Sequence, residues 1–204
     1  MDLRGICYIA VGYLSGSVLF AVLAGELFGK RELLQNSADK NPGTVNAFQY
    51  CGFWCGIFTL AGDLAKGFLP VYLYLRSAAP AQRWALPLVM AAPVAGHILP
   101  IFHRFRGGKG IAATFGVLLG LCPYDTPLAL FAAVFILLSV VLRVDPTFYR
   151  TMLAYLLTLA AMVIVKVAKP VLLGFAIITA AVCLRLHRSR EPREDLEVKL
   201  LWTH

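Results

Sequence analysis

Charged side chains are scarce in this sequence. Asp, Glu, Lys and Arg make up 15% of its 204 residues, against about 25% in a typical soluble domain. Acidic residues are the rarer sign, 11 against 19 basic. No stretch repeats at a fixed period, which argues against a solenoid or a propeller. Cysteine is limited to Cys7, Cys51, Cys55, Cys122 and Cys183, mostly inside apolar stretches. Cys51 and Cys55 stand four apart, but no second ligand pair accompanies them. They read as small apolar helix residues rather than as a zinc site or a disulfide frame. The net charge is +8, yet no basic stripe with interleaved aromatics exists, so the excess does not point to nucleic acid.

What fills the chain instead is apolar: 59% of residues are hydrophobic. A soluble domain of this length cannot hide that much apolar surface from water, so the bilayer is the solvent for most of it. Runs of about 20 apolar residues recur, which is the spanning signature. The reading is an all-α polytopic membrane protein of about seven transmembrane helices. The spans are expected at about 5–28, 52–75, 84–102, 110–122, 127–142 and 151–165, with a seventh ending near 184. The first run is longer than a signal-peptide core and has no convincing cleavage site, so it reads as a retained span. Residues 1–204 are expected to form a single transmembrane domain, with a basic cytoplasmic tail from about 185.

Orientation follows from the basic residues of alternate loops. One set holds Lys30, Arg31, Lys40, Arg104, Arg106, Lys109, Arg143, Arg150 and the basic residues of the tail. The other holds Arg4, Arg76, Arg83, Lys166 and Lys169. The richer side is expected to be cytoplasmic, which puts the N-terminus outside and the C-terminus inside.

Three polar segments then share the cytoplasmic side. The first, Asp39-Lys40-Asn41-Pro42-Gly43-Thr44-Val45-Asn46, is rich in turn formers. It is either an ordinary connection or a nest of backbone N–H groups that binds an anion. The second, Arg106-Gly107-Gly108-Lys109-Gly110, stands directly before an apolar helix. Glycine lets backbone approach a ligand, the helix N-terminus adds partial positive charge and Lys adds a full one, which suits a phosphate. It is not a Walker A loop, and a topology anchor is the alternative. The third, Arg185-Leu186-His187-Arg188-Ser189-Arg190, is either an anchor to anionic lipid or the source of a donor, His187. Within the spans, Asp63 and Lys66 stand three apart and are expected to pair structurally, an intramembrane proton or ion path being the other reading. His97 is expected to be a hydrogen-bonded core histidine, and Glu26 to reach the interface.

Taken together, these segments resemble the bacterial acyl-phosphate:glycerol-3-phosphate acyltransferases, the PlsY family, over nearly the whole chain and in order. The carriers are Ser15-Gly16-Ser17; Asn41-Pro42-Gly43 with Asn46 and Gly52; Gly62-Asp63-Leu64-Ala65-Lys66-Gly67 with Pro70; Gly96-His97 with Pro100; Phe105 to Thr114; and His187-Arg188. The resemblance implies seven spans, an outside N-terminus and a site on the cytoplasmic side of a bacterial inner membrane. It implies transfer of an acyl chain from acyl phosphate to the sn-1 hydroxyl of glycerol 3-phosphate, giving lysophosphatidic acid and phosphate, with no metal or cofactor. The implied partners are these two substrates and membrane lipid. The implied catalytic residues are Lys109, Thr147 and His187. The implied phosphate-binding residues are Asn41, Gly43, Asn46, Arg106, Gly107, Gly108, Gly110 and Arg188. The sequence departs from the family pattern at Asp39, Lys40, Val45, Gln49, Thr147 and Arg190, where Thr147 replaces a serine and Gln49 an arginine. The alternatives are a small transporter or channel using Asp63, Lys66 and His97, and an inactive homologue that binds lipid phosphate.

Overall fold

The computed structural model describes residues 3–30, 41–78, 80–189 and 195–200, with the backbone alone for 80–82. It is mostly helical, as the apolar runs require: without water, backbone polar groups are satisfied only inside a helix or a closed barrel. In chain order the main helices are α1 (Leu3–Gly16), α2 (Phe20–Leu27), α3 (Phe53–Ser77), α4 (Leu86–Ile98), α5 (Ile111–Leu119), α6 (Thr126–Ile136), α7 (Thr147–Ile164) and α8 (Lys169–His187). A helical turn, Thr44–Asn46 continuing into a π-turn at Ala47–Cys51, precedes α3, and a second π-turn, Leu137–Val141, extends α6. Three stretches of the described residues are long and apolar enough to cross a bilayer: Arg83–His103, Thr147–Ile164 and Lys169–His187. The pair α1 and α2 qualifies as a fourth if counted as one bent span, and Thr126–Val141 is a shorter apolar helix.

The helices α3 and α4 sit at the centre, with α1 against both, α5 against α3, and α8 against α4. Side chains alternate by face. Asp63, Lys66, Gly67, Pro70, Val71 and Tyr74 of α3 are buried, whereas Leu69 and Leu73 point outward and are about half exposed. Those spacings of three and four define one inward stripe. Outward faces elsewhere are equally apolar, including Leu14, Leu88, Ile136, Leu157 and Leu173. That arrangement suits lipid, not water. An aromatic cluster ties α5 to α8: Phe131 stands 4.6 Å from Phe115, 4.9 Å from Tyr155 and 5.6 Å from Phe175, centroid to centroid.

Several expected boundaries shift. The first apolar run is not one straight helix; it bends by 41° where α1 gives way to α2. The break leaves the Val18 carbonyl available, and Lys66 Nζ donates to it at 2.7 Å. The sixth expected span, α7, starts at Thr147 rather than near 151, because the backbone N–H groups of Tyr149 and Arg150 close onto the Pro146 carbonyl. Thr147 and Arg150 therefore stand on a helix and not in a loop. The last helix runs to His187 rather than ending near 184, held by Arg188 N–H on the Leu184 carbonyl. Among the described residues there is one small exception to the helical architecture. Val144–Asp145 pairs antiparallel with Glu197–Val198, Val144 opposite Val198.

Candidate functional site

The loop before α5 is packed closely against two helices. The Gly108 N–H donates to the His97 carbonyl at 3.1 Å. A Cβ on Gly107 would overlap that same carbonyl oxygen, and one on Gly108 would overlap His97 Nε2. These two positions accept no side chain while the backbone runs this close to α4. From α8, Arg185 Nη2 donates to the Gly107 carbonyl at 2.8 Å. Gly110 closes the loop in the left-handed region at φ 82° and leads into α5. Its carbonyl accepts from Thr114 Oγ1 at 2.9 Å, and Tyr155 Oη of α7 donates to Thr114 Oγ1 at 2.8 Å. Helices α4, α5 and α8 thus hold a five-residue loop from three sides, with α7 bonded to α5 behind it.

Behind the loop lies a buried polar node. Lys66 Nζ is 2.7 Å from Asp63 Oδ1, 2.7 Å from His97 Nδ1 and 2.7 Å from the Val18 carbonyl. The ammonium group donates to the Val18 carbonyl and to His97 Nδ1 and forms an ion pair with Asp63. With Nδ1 accepting, the neutral His97 ring carries its proton on Nε2, the edge that faces Gly108. The lysine charge is matched by Asp63, as an ionisable residue inside a bundle requires. The three groups meet at one point rather than lining a path through the membrane.

In front of the loop opens a cavity of about 940 Å³, near the upper end for ligand sites. Its polar end is built from Asn41, Gly43, Thr44, Asn46 and Gln49 of the first loop and its helical turn, Lys109 and Gly110 of the glycine loop, and Thr147, Arg150 and Thr151 of α7. Asp63 and His97 show an edge to it. Its apolar wall is Leu60, Leu64, Ile111, Phe115, Leu119, Leu128 and Phe135. A smaller apolar pocket shares Phe115, Phe135 and Ser139 with it and continues between α5 and α6. The first loop is itself folded back: Asn46 Nδ2 donates to the Asn41 carbonyl at 2.8 Å. On α7, Arg150 Nη2 donates to Thr147 Oγ1 at 2.8 Å.

The structure brings together Asn41, Gly43, Asn46, Lys109, Gly110 and Thr147 on one cavity. It places Gly107 and Gly108 one layer back, buried against His97. Arg106 is exposed at the start of the loop, and His187 and Arg188 are exposed at the end of α8, outside the cavity lining. Asp39, Lys40 and Arg190 lie outside the described residues. Among the described residues no group of three or more His, Cys, Asp or Glu is placed to hold a metal. The residues that sequence reading passed over are Arg150, Thr151 and Arg185. In the linear chain Arg150 and Arg185 count only as topology charges. Helical spacing from Thr147 was the one signal for Arg150 and Thr151, and it was hidden while that helix was expected to start later.

Residues 6–193 match the family described as glycerol-3-phosphate acyltransferase. A glycerol-3-phosphate acyltransferase of Trichlorobacter lovleyi is 42% identical over 68% of this chain and 69% of its own length. Those of Methylobacillus flagellatus and Pseudomonas savastanoi are 38% and 39% identical, each match spanning 61% of the relative. The chain thus matches about three fifths to two thirds of the length of these curated relatives. Two crystal structures of PlsY, an integral membrane glycerol 3-phosphate acyltransferase, superpose with 25% identity over 90% of this chain and 88% of theirs. The glycerol 3-phosphate form gives a TM-score of 0.76 and the lysophosphatidic acid form 0.74.

Proposed function

We propose, from the premise that this chain belongs to the glycerol-3-phosphate acyltransferase family, that it acylates glycerol 3-phosphate in the membrane with acyl phosphate as donor. The observation that carries the reading is one cavity with two unlike ends: a polar end holding Lys109 and Gly110, and an apolar wall running to Phe115 and Phe135. An acyl phosphate has the same division between a charged head and a long apolar chain. Water-soluble glycerol 3-phosphate enters at the polar end, from the cytoplasm.

In the reaction the sn-1 hydroxyl oxygen bonds to the acyl carbonyl carbon. The bond from that carbon to the phosphate oxygen breaks, and inorganic phosphate leaves with the proton of the hydroxyl. The donor is a mixed anhydride, so its leaving group needs little help. Holding both reactants in one pocket supplies much of the acceleration. Lys109 at the polar end neutralises phosphate charge and the oxyanion that develops on the acyl carbonyl. Thr147 supplies a hydroxyl to the acceptor's side of the pocket. His97 does not serve as a base, because Nδ1 is committed to Lys66. Gly107 and Gly108 act by holding Lys109 in place. Arg106 and Arg188 are proposed to reach the phosphates from the cavity's cytoplasmic rim, where His187 is proposed to act as a catalytic donor.

The whole chain acts as one transmembrane unit of the bacterial inner membrane. Its seven spans are α1 with α2, and then α3 to α8 singly, with the N-terminus outside. The excess of basic residues in alternate loops supports this orientation.

The test is phosphate release and lysophosphatidic acid formation by the purified protein in a lipid phase, given acyl phosphate and glycerol 3-phosphate. Product from the unmutated protein and none from a folded Lys109→Ala variant is the expected result. Full activity in Lys109→Ala removes Lys109 from the site. No product from a folded unmutated protein overturns the reaction.

A further inference from the structure

Five threonines are fully or almost fully buried in helices of the described residues: Thr59, Thr114, Thr151, Thr158 and Thr179. Four of them do what a buried helical threonine ordinarily does. Thr59, Thr114, Thr158 and Thr179 each donate back to the carbonyl four residues earlier, at 2.7 to 2.9 Å. Thr151 does not. Its Oγ1 is buried, has no hydrogen-bond partner among the described residues, and lines the large cavity. A buried hydroxyl without a partner costs free energy that a ligand can return.

Arg150 precedes it and Thr147 stands four residues before it, so the three share the first turn and one side of α7. All three line the cavity. Arg150 is partly buried and its fork is only partly used. Nη2 donates to Thr147 Oγ1 at 2.8 Å, while Nη1 stands 3.9 Å from Asp145 Oδ1, too far for a hydrogen bond. Arg150 and Lys109 are the cationic side chains of the cavity lining. The acidic lining residue, Asp63, is already matched by Lys66 at 2.7 Å. A cavity with two cations, an unpaired buried hydroxyl and one internally neutralised carboxylate is suited to an anion with several acceptor oxygens.

We infer that Arg150 and Thr151 form, with Thr147, a second phosphate-binding face on α7 that shares a substrate's phosphate group with Lys109. The inference rests on the acyl-transfer reading for the identity of the phosphate. Glycerol 3-phosphate and acyl phosphate present the same chemistry here, and kinetics separate them.

The experiment uses the full chain in lipid, as Arg150→Ala, Arg150→Lys and Thr151→Val. KM and kcat are measured for each substrate with the other saturating. In Arg150→Ala, KM for one substrate rises about tenfold or more while kcat stays within about threefold, because binding and not the reacting atoms has lost a contact. Arg150→Lys lies between, keeping charge without the fork. Thr151→Val raises the same KM by about fivefold and leaves thermal stability equal or higher, since the hydroxyl lacks a partner in the protein. The substrate whose KM moves identifies the phosphate held. KM values for both substrates within about twofold of the unmutated protein, in both Arg150→Ala and Thr151→Val, overturn the inference. Should the unmutated protein make no lysophosphatidic acid, the reaction fails and the face is judged by calorimetry with inorganic phosphate. Weaker binding by Thr151→Val then supports it, and equal binding sinks it.

Discussion

Lys66 Nζ stands 2.7 Å from His97 Nδ1, joining α3 to α4, the helix against which the glycine loop folds back. The same nitrogen reaches the Val18 carbonyl where the first span breaks. One side chain therefore joins α3 and α4 to the break between α1 and α2. His97 in turn receives the Gly108 N–H on its own carbonyl. The path from the lysine to the cavity is short and made of hydrogen bonds.

Replacing Lys66 alone leaves Asp63 as an uncompensated charge in the bundle. Lys66→Met is expected to lose about 3–5 kcal/mol of stability. The double variant Asp63→Asn with Lys66→Met is expected to lose less, because neither charge remains. Thermal unfolding of the three proteins in one detergent checks the order. A double variant less stable than the single would show that the lysine acts through something other than charge pairing.

Gly107 faces the His97 carbonyl with no room for a methyl group. Gly107→Ala must move either the loop or α4, at a cost of about 1–3 kcal/mol. Since Lys109 lies two residues on, activity is expected to fall more than about tenfold while helix content by circular dichroism is unchanged. Undiminished activity would mean that the loop's position does not set that of Lys109.

Arg185 holds the other edge of this loop through the Gly107 carbonyl. A hydrogen bond from a charged donor contributes about 1.5–3 kcal/mol. Arg185→Ala is expected to speed amide hydrogen exchange at residues 106–110 and to lower kcat/KM about tenfold. Faster exchange confined to the C-terminal end of α8 would place its role elsewhere.

Tyr155 donates to Thr114 from within the aromatic cluster. Tyr155→Phe keeps the ring packing and drops that bond, so the expected loss is about 1 kcal/mol. Activity is expected to hold within about threefold, since the loop keeps its ties to His97 and Arg185. A differential scanning measurement beside the acyl-transfer assay checks both halves.

Much of this was legible in the linear chain. Apolar runs announce helices in lipid whatever their partners, because the backbone has no other way to satisfy its hydrogen bonds there. The glycine loop and Asn41-Pro42-Gly43 were legible as turn-forming segments, and the structure sets Asn41, Gly43, Lys109 and Gly110 on one cavity. The pairing of Asp63 with Lys66 was expected from their spacing, and the core placement of His97 from its surroundings. The structure has both. Less legible was the start of α7. Thr147 and Arg150 read as loop residues because polar residues before an apolar run mimic a connection, and only the closure onto Pro146 puts them on a helix.

The sequence by itself determined that the chain lives in a membrane, that it is helical, and where its polar, glycine-rich turn segments fall. Those properties depend on composition and local spacing, which any part of the chain carries with it. Only the tertiary structure decided which polar groups share a cavity. Lys109 on the glycine loop and Arg150 on α7 are far apart in sequence, and no periodicity within either segment tells of the other. The packing of α3, α5 and α7 turns both toward one space. Lys66, equally charged and closer to the centre, is turned inward, because it donates to His97 and Val18 and its charge is paired with Asp63.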